Sequence, residues 1–306
     1  MKIIHSAVNF PDELRGGAVS IGKFDGMHFG HSLIVQRLKS HARRLQVPAV
    51  LVTFDPLPAA VLNPGTDIKP ICTLDRKLEL IRRMNIDAVA VLTASPELLR
   101  QSADTFFEET IQNRFRAVMV VEGQNFSFGK DRTGTPEVIK VYGKRAGIDI
   151  DIVEPLQMGS ERVSSTGIRQ MIQAGQIERL CEWMPQPYRI TGTVIHGEQR
   201  GRTLGFPTAN LADVKTILPK PGIYAAAARF DGRCFGATLH IGSNPTFGVE
   251  TVKIEVFVHD FSGDLYGKVM DVDFLAFLRE MVRFDSAEDL IRQMNEDVQQ
   301  SRRIFG

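Results

Sequence analysis

Over residues 18–155 the chain alternates short apolar runs with helical patterns, and this alternation constrains its fold more than any other feature. "AVSI" (18–21), "AVLVTF" (49–54), "DAVAVLT" (87–93), "AVMVVEG" (117–123) and "IDIDIVEP" (148–155) read as strands. Helical spacing is expected over 32–46, 74–84 and 103–114; in the first, Leu33, Ile34, Leu38, Ala42 and Leu45 share a face. Strands that take turns with helices form βαβ units, so a parallel sheet covered on both faces is expected, with ligands at the carboxyl ends of the strands. Two helices, 166–174 and 176–183, follow around Gly175. At "MPQPYR" (184–189) the character changes to short strands with frequent Gly and Pro: "RITGTVI", "GIYAAAARF", "RCFGATLHI", "KIEVFVHDF" and "KVMDVDFLAFL". That is the pattern of a small antiparallel barrel. A helix over 286–303, capped by Ser286, closes the chain.

Composition narrows the function classes. The 306 residues carry a net charge of +1, so bulk electrostatics favour neither nucleic acid nor an anionic membrane, and neither is expected as a partner. No apolar run approaches the roughly 18–20 residues of a membrane span, and the first residues lack a signal-peptide pattern. Cys72, Cys181 and Cys234 lie far apart with no CxxC, which fits a reducing cytoplasm and argues against a zinc site.

Anion binding must therefore come from local sites. In "SIGKFDGMHFGH" (20–31), Gly22, Gly26 and Gly30 lie between a strand and a helix, where glycine permits positive φ and close approach to a ligand. The helix start offers free N–H groups to a phosphate, and His28 and His31, spaced HxGH, can both donate to one. A tight turn with one structural histidine is the alternative. In "VSSTGIRQMI" (163–172), Ser164, Ser165 and Thr166 stand at a helix start with Arg169 close behind, either an ordinary cap or a second wall of the same phosphate site. In "HGEQRGRTLGFPTAN" (196–210), Gly197, Gly201 and Gly205 make a loop able to wrap phosphates, with Arg200 and Arg202 adding charge. Thr208 and Asn210 supply hard oxygen ligands suited to Mg²⁺. A Gly-rich hairpin loop with solvated arginines fits the same composition.

The run "GKFDGMHFGH", with "GQNFSFG" (123–129) and "VSSTGIR", resembles the adenylyltransferase half of bacterial bifunctional riboflavin kinase/FAD synthetases, within the nucleotidyltransferase superfamily. "PTAN", "PGIYAA" (221–226), "IGSNPTF" (241–247), "IEVFVHDFSGDLYG" (254–267) and "FLREMVRF" (277–284) resemble the riboflavin kinase half, in the family's order. The resemblance implies an α/β fold: a Rossmann-like nucleotidyltransferase domain over 1–184, then a small antiparallel β-barrel kinase domain with a C-terminal helix over 185–306. It implies that the kinase half phosphorylates riboflavin with Mg²⁺–ATP, and that FMN then attacks the α-phosphate of ATP to give FAD and pyrophosphate. Gly22, Phe24, Asp25, Gly26, His28, Gly30, His31, Ser165, Thr166 and Arg169 would bind ATP, with His28 and His31 catalytic. Asn125, Phe126 and Phe128 would meet the flavin, core packing remaining open for one of the two rings. In the kinase, Glu255 would be the catalytic base, Thr208 and Asn210 would hold the metal, and Gly197, Gly201, Arg202, Gly205, Asn244 and Arg279 would line the nucleotide or flavin pocket. Riboflavin, FMN, FAD and ATP are the implied partners, with apo-flavoproteins as recipients of the product.

The chain departs from the family at several places. Lys23 stands where Asn is usual, Leu57 in "TFDPLP" where the family has His, Asn125 where Asp is common, and Met281 where Glu is usual. Lys23 and Leu57 keep a second reading open, a riboflavin kinase whose first domain is a nucleotide- or flavin-binding regulatory module. A fragment of an aminoacyl-tRNA synthetase, another HxGH enzyme, lacks support because there is no KMSKS-like loop.

Overall fold

The alternation of strands and helices is realised in the first of two units, Met1–Ser165; the second is Thr166–Gly306. The computed structural model describes residues 1–5, 10–197, 201, 205–244 and 249–306. The first unit runs β1 (Lys2–Ile4), β2 (Ala18–Ile21), α1 (Phe29–Leu45), β3 (Ala49–Asp55), α2 (Pro58–Leu62), α3 (Leu74–Arg82), β4 (Ala88–Thr93), α4 (Pro96–Arg100), α5 (Ala103–Phe106), β5 (Met119–Gly123), α6 (Pro136–Ala146), β6 (Asp149–Val153) and the short pair β7 (Gln157–Met158) and β8 (Glu161–Arg162). Six strands form a parallel sheet in the order β1-β4-β3-β2-β5-β6. From β2 the chain runs outward to β3 and β4, with β1 added at that edge, and from β5 it runs outward to β6, so the crevice above the β2–β5 pair is the switch point where such sheets bind ligands.

The sheet is apolar on both faces. Val19, Ile21, Val50, Val52 and Ala90 enter one core with Phe107 and Ile111. Ala18, Leu51, Val89, Val91 and Val121 enter the other with Val35 and Leu38 of α1 and Ile81 of α3. This explains why the central strands read as continuous apolar runs rather than alternating ones. Edge strand β1 and helix α6 had no clear signal: β1 is three residues long, and Pro136, Ile139 and Gly143 are all that α6 buries. The helix expected over 103–114 is α-helical only to Phe106 and continues in π form over Phe107–Arg114.

The second unit opens with α7 (Ser165–Ala174), whose first residue ends the first unit, and α8 (Ile177–Trp183). Strands β9 (Arg189–Ile195), β10 (Thr208–Ala212), β11 (Gly222–Phe230), β12 (Arg233–Asn244), β13 (Val249–Val258) and β14 (Val269–Arg279) close into an antiparallel barrel, followed by α9 (Ala287–Phe305). The order is β10-β13-β12-β11-β14-β9, and β9 pairs back onto β10. Leu211, Leu239, Val256, Met270, Val272 and Phe274 are buried. Their sequence neighbours Asn210, His240, Glu255 and Asp271 point to the opposite face. Glu178 of α8 accepts the Phe277 N–H at 3.1 Å, tying α8 to β14. Ser286 caps α9 as expected, accepting the Asp289 N–H at 3.1 Å. Strand β10 was unforeseen, since Ala209 and Leu211 are its only buried residues.

Candidate functional sites

The HxGH loop follows β2 at the switch point. Helix α1 begins at Phe29, three residues before its apolar pattern, because His28 caps it: His28 Nδ1 accepts the His31 N–H at 3.2 Å. A neutral imidazole that accepts at Nδ1 carries its proton on Nε2, so His28 keeps one outward donor. Burial pushes His28 down to about 4, and burial followed by the charges of His28, Lys77 and Lys23 holds His31 well below its ordinary value. Both rings are therefore neutral near pH 7. They stack with centroids 3.7 Å apart, and Phe24 meets His31 edge-on at 5.2 Å. His31 Nδ1 is buried with no hydrogen-bond partner among the described residues. The site thus offers neutral donors at a helix N-terminus, suited to anionic oxygens whose charge grows during reaction.

The loop's glycines make room mainly for the chain itself. Gly26 has φ +82°, and a Cβ there would stand 2.9 Å from the Ile71 side chain. Gly22 lies under the Phe24 ring and Gly30 beside the His28 ring. Phe24 and Asp25 are framework residues here, both buried. Asp25 Oδ1 accepts the N–H groups of Ile71 at 2.9 Å and Cys72 at 3.4 Å. Its carbonyl accepts the hydroxyl of Ser165, the last residue of the first unit, at 3.1 Å. Thr166 and Arg169 follow on α7 within the second unit.

Two buried ionisable groups beside this loop escaped the sequence reading. Lys77 of α3 donates to Thr53 Oγ1 at 3.2 Å, and Thr53 in turn donates to the Lys23 carbonyl at 3.1 Å. Lys77 shares the apolar stripe of Leu74, Leu78 and Ile81, a helical position where a lysine is a signal in itself. Glu122 of β5 accepts the Ile21 N–H at 2.5 Å, just past the last β2–β5 pair, Val19 with Val120. Burial raises its carboxyl well above the usual range. Its signal was the single acidic residue in "AVMVVEG". Lys23 itself is exposed, and Leu57 is buried ahead of α2.

Beyond β5, Asn125 is exposed on a turn. Phe126 stacks on Phe128 at 5.2 Å, and Phe128 sinks into the core against Phe106 at 5.7 Å. Phe126 is the partly exposed ring of the two.

In the barrel, strand register gathers the predicted residues. Asn210 of β10 stands opposite Glu255 of β13, and Glu255 opposite His240 of β12. The result is one polar row across three strands, with His240 Nδ1 3.0 Å from Glu255 Oε2. Thr208 lies one row away, opposite Phe257. The backbone at Gly197 passes so close that a Cβ would stand 2.1 Å from Asn210 Nδ2; at Gly201 it would stand 3.5 Å from Thr208 Oγ1. Gly205 has φ +86°. Arg279 is committed elsewhere, its guanidinium held by Asp297 of α9 at 2.9 and 2.7 Å. Arg202 and the side chain of Asn244 lie outside the described residues. His240 was missed because nothing along the chain pairs it with Glu255.

A family model described as FAD synthetase matches residues 10–167, and one described as riboflavin kinase matches residues 184–305. A bifunctional riboflavin kinase/FMN adenylyltransferase from Haemophilus influenzae is 30% identical over 306 residues, covering 100% of this chain and 99% of that protein. Its counterpart from Listeria monocytogenes is 32% identical over 290 residues, covering 94% and 92%. A crystal structure described as a macrolide-efflux protein from Streptococcus pneumoniae matches with a TM-score of 0.87 at 30% identity, over 98% of both chains. No described helix of the present chain is long and apolar enough to cross a membrane. With both models matching in tandem on a parallel-sheet unit and a closed barrel, and relatives aligned end to end, the chain belongs to the bifunctional riboflavin kinase/FMN adenylyltransferase family.

Proposed function

We propose that this enzyme makes FAD from riboflavin in two ATP-dependent steps, phosphorylation within 185–306 and adenylylation within 1–184. In the kinase step the ribityl hydroxyl oxygen bonds to the γ-phosphorus of ATP, the bond to the β,γ-bridging oxygen breaks, ADP leaves, and Glu255 takes the hydroxyl proton. The observation that carries this reading is the row of Asn210 and Glu255 beneath Gly197. The oxygen donors Thr208 and Asn210 fit Mg²⁺, and the backbone at Gly197 runs so close to Asn210, and at Gly201 so close to the Phe206 carbonyl, that neither position admits a side chain. Bound there, Mg²⁺ would offset charge on the phosphates.

In the second step an FMN phosphate oxygen bonds to the α-phosphorus of ATP, the α,β-bridging bond breaks, and pyrophosphate leaves. His28 and His31, with the N-terminus of α1, would hold the phosphates as neutral donors. Ser165 supports that loop; Thr166 and Arg169 are assigned to the triphosphate on their motif alone. Asn125 and Phe126 are assigned to the flavin, with Phe128 behind Phe126. The need for ATP and the three free cysteines favour the cytoplasm. The reading stops at free FAD, since nothing above argues for handing it to apo-flavoproteins.

Purified protein incubated with riboflavin, ATP and Mg²⁺ should yield both FMN and FAD on separation of the flavins. FMN without FAD would favour the second reading, motivated by Lys23 and Leu57, of a kinase with a regulatory first domain. Neither product would overturn the assignment.

A further inference from the structure

We propose that His240 is a positioning residue for the kinase step, holding Glu255 in the rotamer that accepts the substrate proton. The inference rests on the reading of Glu255 as base. Glu255 sits on the outer face of a strand, partly buried, with three side-chain torsions to fix. One of its oxygens is fixed: Oε2 lies 3.0 Å from His240 Nδ1. An ionised carboxylate only accepts, so in that state His240 carries a proton on Nδ1. The contact leaves Oε1 for the ribityl hydroxyl, and Asn210 is the cross-strand neighbour of Glu255 on the other side.

The other end of the ring argues that this contact is the reason for the histidine. His240 Nε2 is buried and has no hydrogen-bond partner among the described residues. With a proton on Nδ1, Nε2 is a buried polar atom left without a partner among the described residues whether or not it carries a proton, which costs stability. A residue present only to strengthen the sheet would not need that defect; Thr or Val would pair across strands without it. The imidazole makes sense if what it does at Glu255 matters more than what Nε2 loses.

The test compares His240→Leu with His240→Asn in the full-length protein. Asn Nδ2–H can reach the oxygen that His Nδ1–H holds; Leu keeps bulk and has no donor. The kcat for FMN formation should fall roughly 10- to 100-fold in the Leu variant, with KM for riboflavin and ATP unchanged, as for other supporting partners of a reactive group. Most of the kcat should return in the Asn variant. A Leu variant with wild-type kcat, or a loss that Asn does not recover, overturns the proposal. Should the Leu variant fail to fold, His240→Gln, whose longer amide overshoots the contact, takes its place with the same expectations. Glu255→Gln separates the two layers. If it makes FMN at the wild-type rate, the base assignment itself fails and this proposal with it; if it is slowed as expected while His240→Leu is fully active, only the role of His240 fails.

Discussion

The two candidate sites are built on opposite plans. In the parallel-sheet unit the residues of the site are also its framework. His28 caps α1, Asp25 ties the loop to Ile71 and Cys72, and Phe24 fills the core. In the barrel, Asn210, Glu255 and His240 project from strands whose alternate residues make the core, and Glu255 and His240 hold each other. A loop that must hold both a shape and a ligand cannot lose a residue without losing some of each. A row on the outside of a barrel can lose chemistry and keep its fold.

The largest effect should test the barrel side. Glu255→Gln should lower FMN formation by ~10²- to 10⁴-fold, leave the thermal midpoint unchanged, and spare FAD formation from supplied FMN. A lowered midpoint would break the contrast. On the loop side, His28→Ala should reduce FAD formation by ~10²-fold and also destabilise the protein by about 0.5–2 kcal/mol through the lost cap. His28→Asn restores a capping side chain, so it should recover the stability and not the activity. Equal recovery of both would mean that His28 acts only as a cap.

Acid sharpens the comparison. His28 is held near 4, against an ordinary value of 6.5, so the unfolded chain takes up its proton first as pH falls. The stability that goes with the buried neutral ring is complete above about pH 6.5 and is lost toward pH 4. Unfolding midpoints from pH 4 to 7 should therefore rise steeply in the wild type and less steeply in His28→Asn. Glu122 works with the opposite sign. Its folded carboxyl stays protonated above the usual range, so the stability present in acid, below the unfolded value, is lost as pH rises from there through the raised folded one. Glu122→Gln, which keeps an oxygen for the Ile21 N–H, should stabilise the protein at pH 7–8 and not at pH 4, read from unfolding midpoints at the two pH values. The smallest effect belongs to Lys23. Its charge reaches His31 from an exposed position, so Lys23→Asn should slow FAD formation by roughly fivefold or less. A rate equal to wild type would remove Lys23 from the site.

What the chain revealed before folding follows the same division. Apolar runs located every central strand of the parallel sheet, because burial on both faces leaves a local signature. The start of α1 was placed late because its cap is an imidazole, outside the usual capping set. Strand β10 reads in the sequence as part of a ligand loop, since only Ala209 and Leu211 mark it as a strand. Thr208 and Asn210 were recognised, but their rigid seat opposite Phe257 and Glu255 was not. The pairing of His240 with Glu255 depends on the register of β12 against β13, which spacing along the chain does not encode.

The closure of the barrel by β9 against β14 also sets an order of events during synthesis. All strands of the parallel sheet belong to Met1–Ser165, so that unit can fold while the ribosome is still making the rest. Strand β9 must wait for Val269–Arg279, and Arg279 waits further for Asp297 near the chain's end. Until then β9 and β11, the two neighbours of β14, present open edges, the condition in which nascent strands pair with the wrong partner. The barrel is thus the half of this protein with the most need of a chaperone, and the half in which a premature stop would be most damaging.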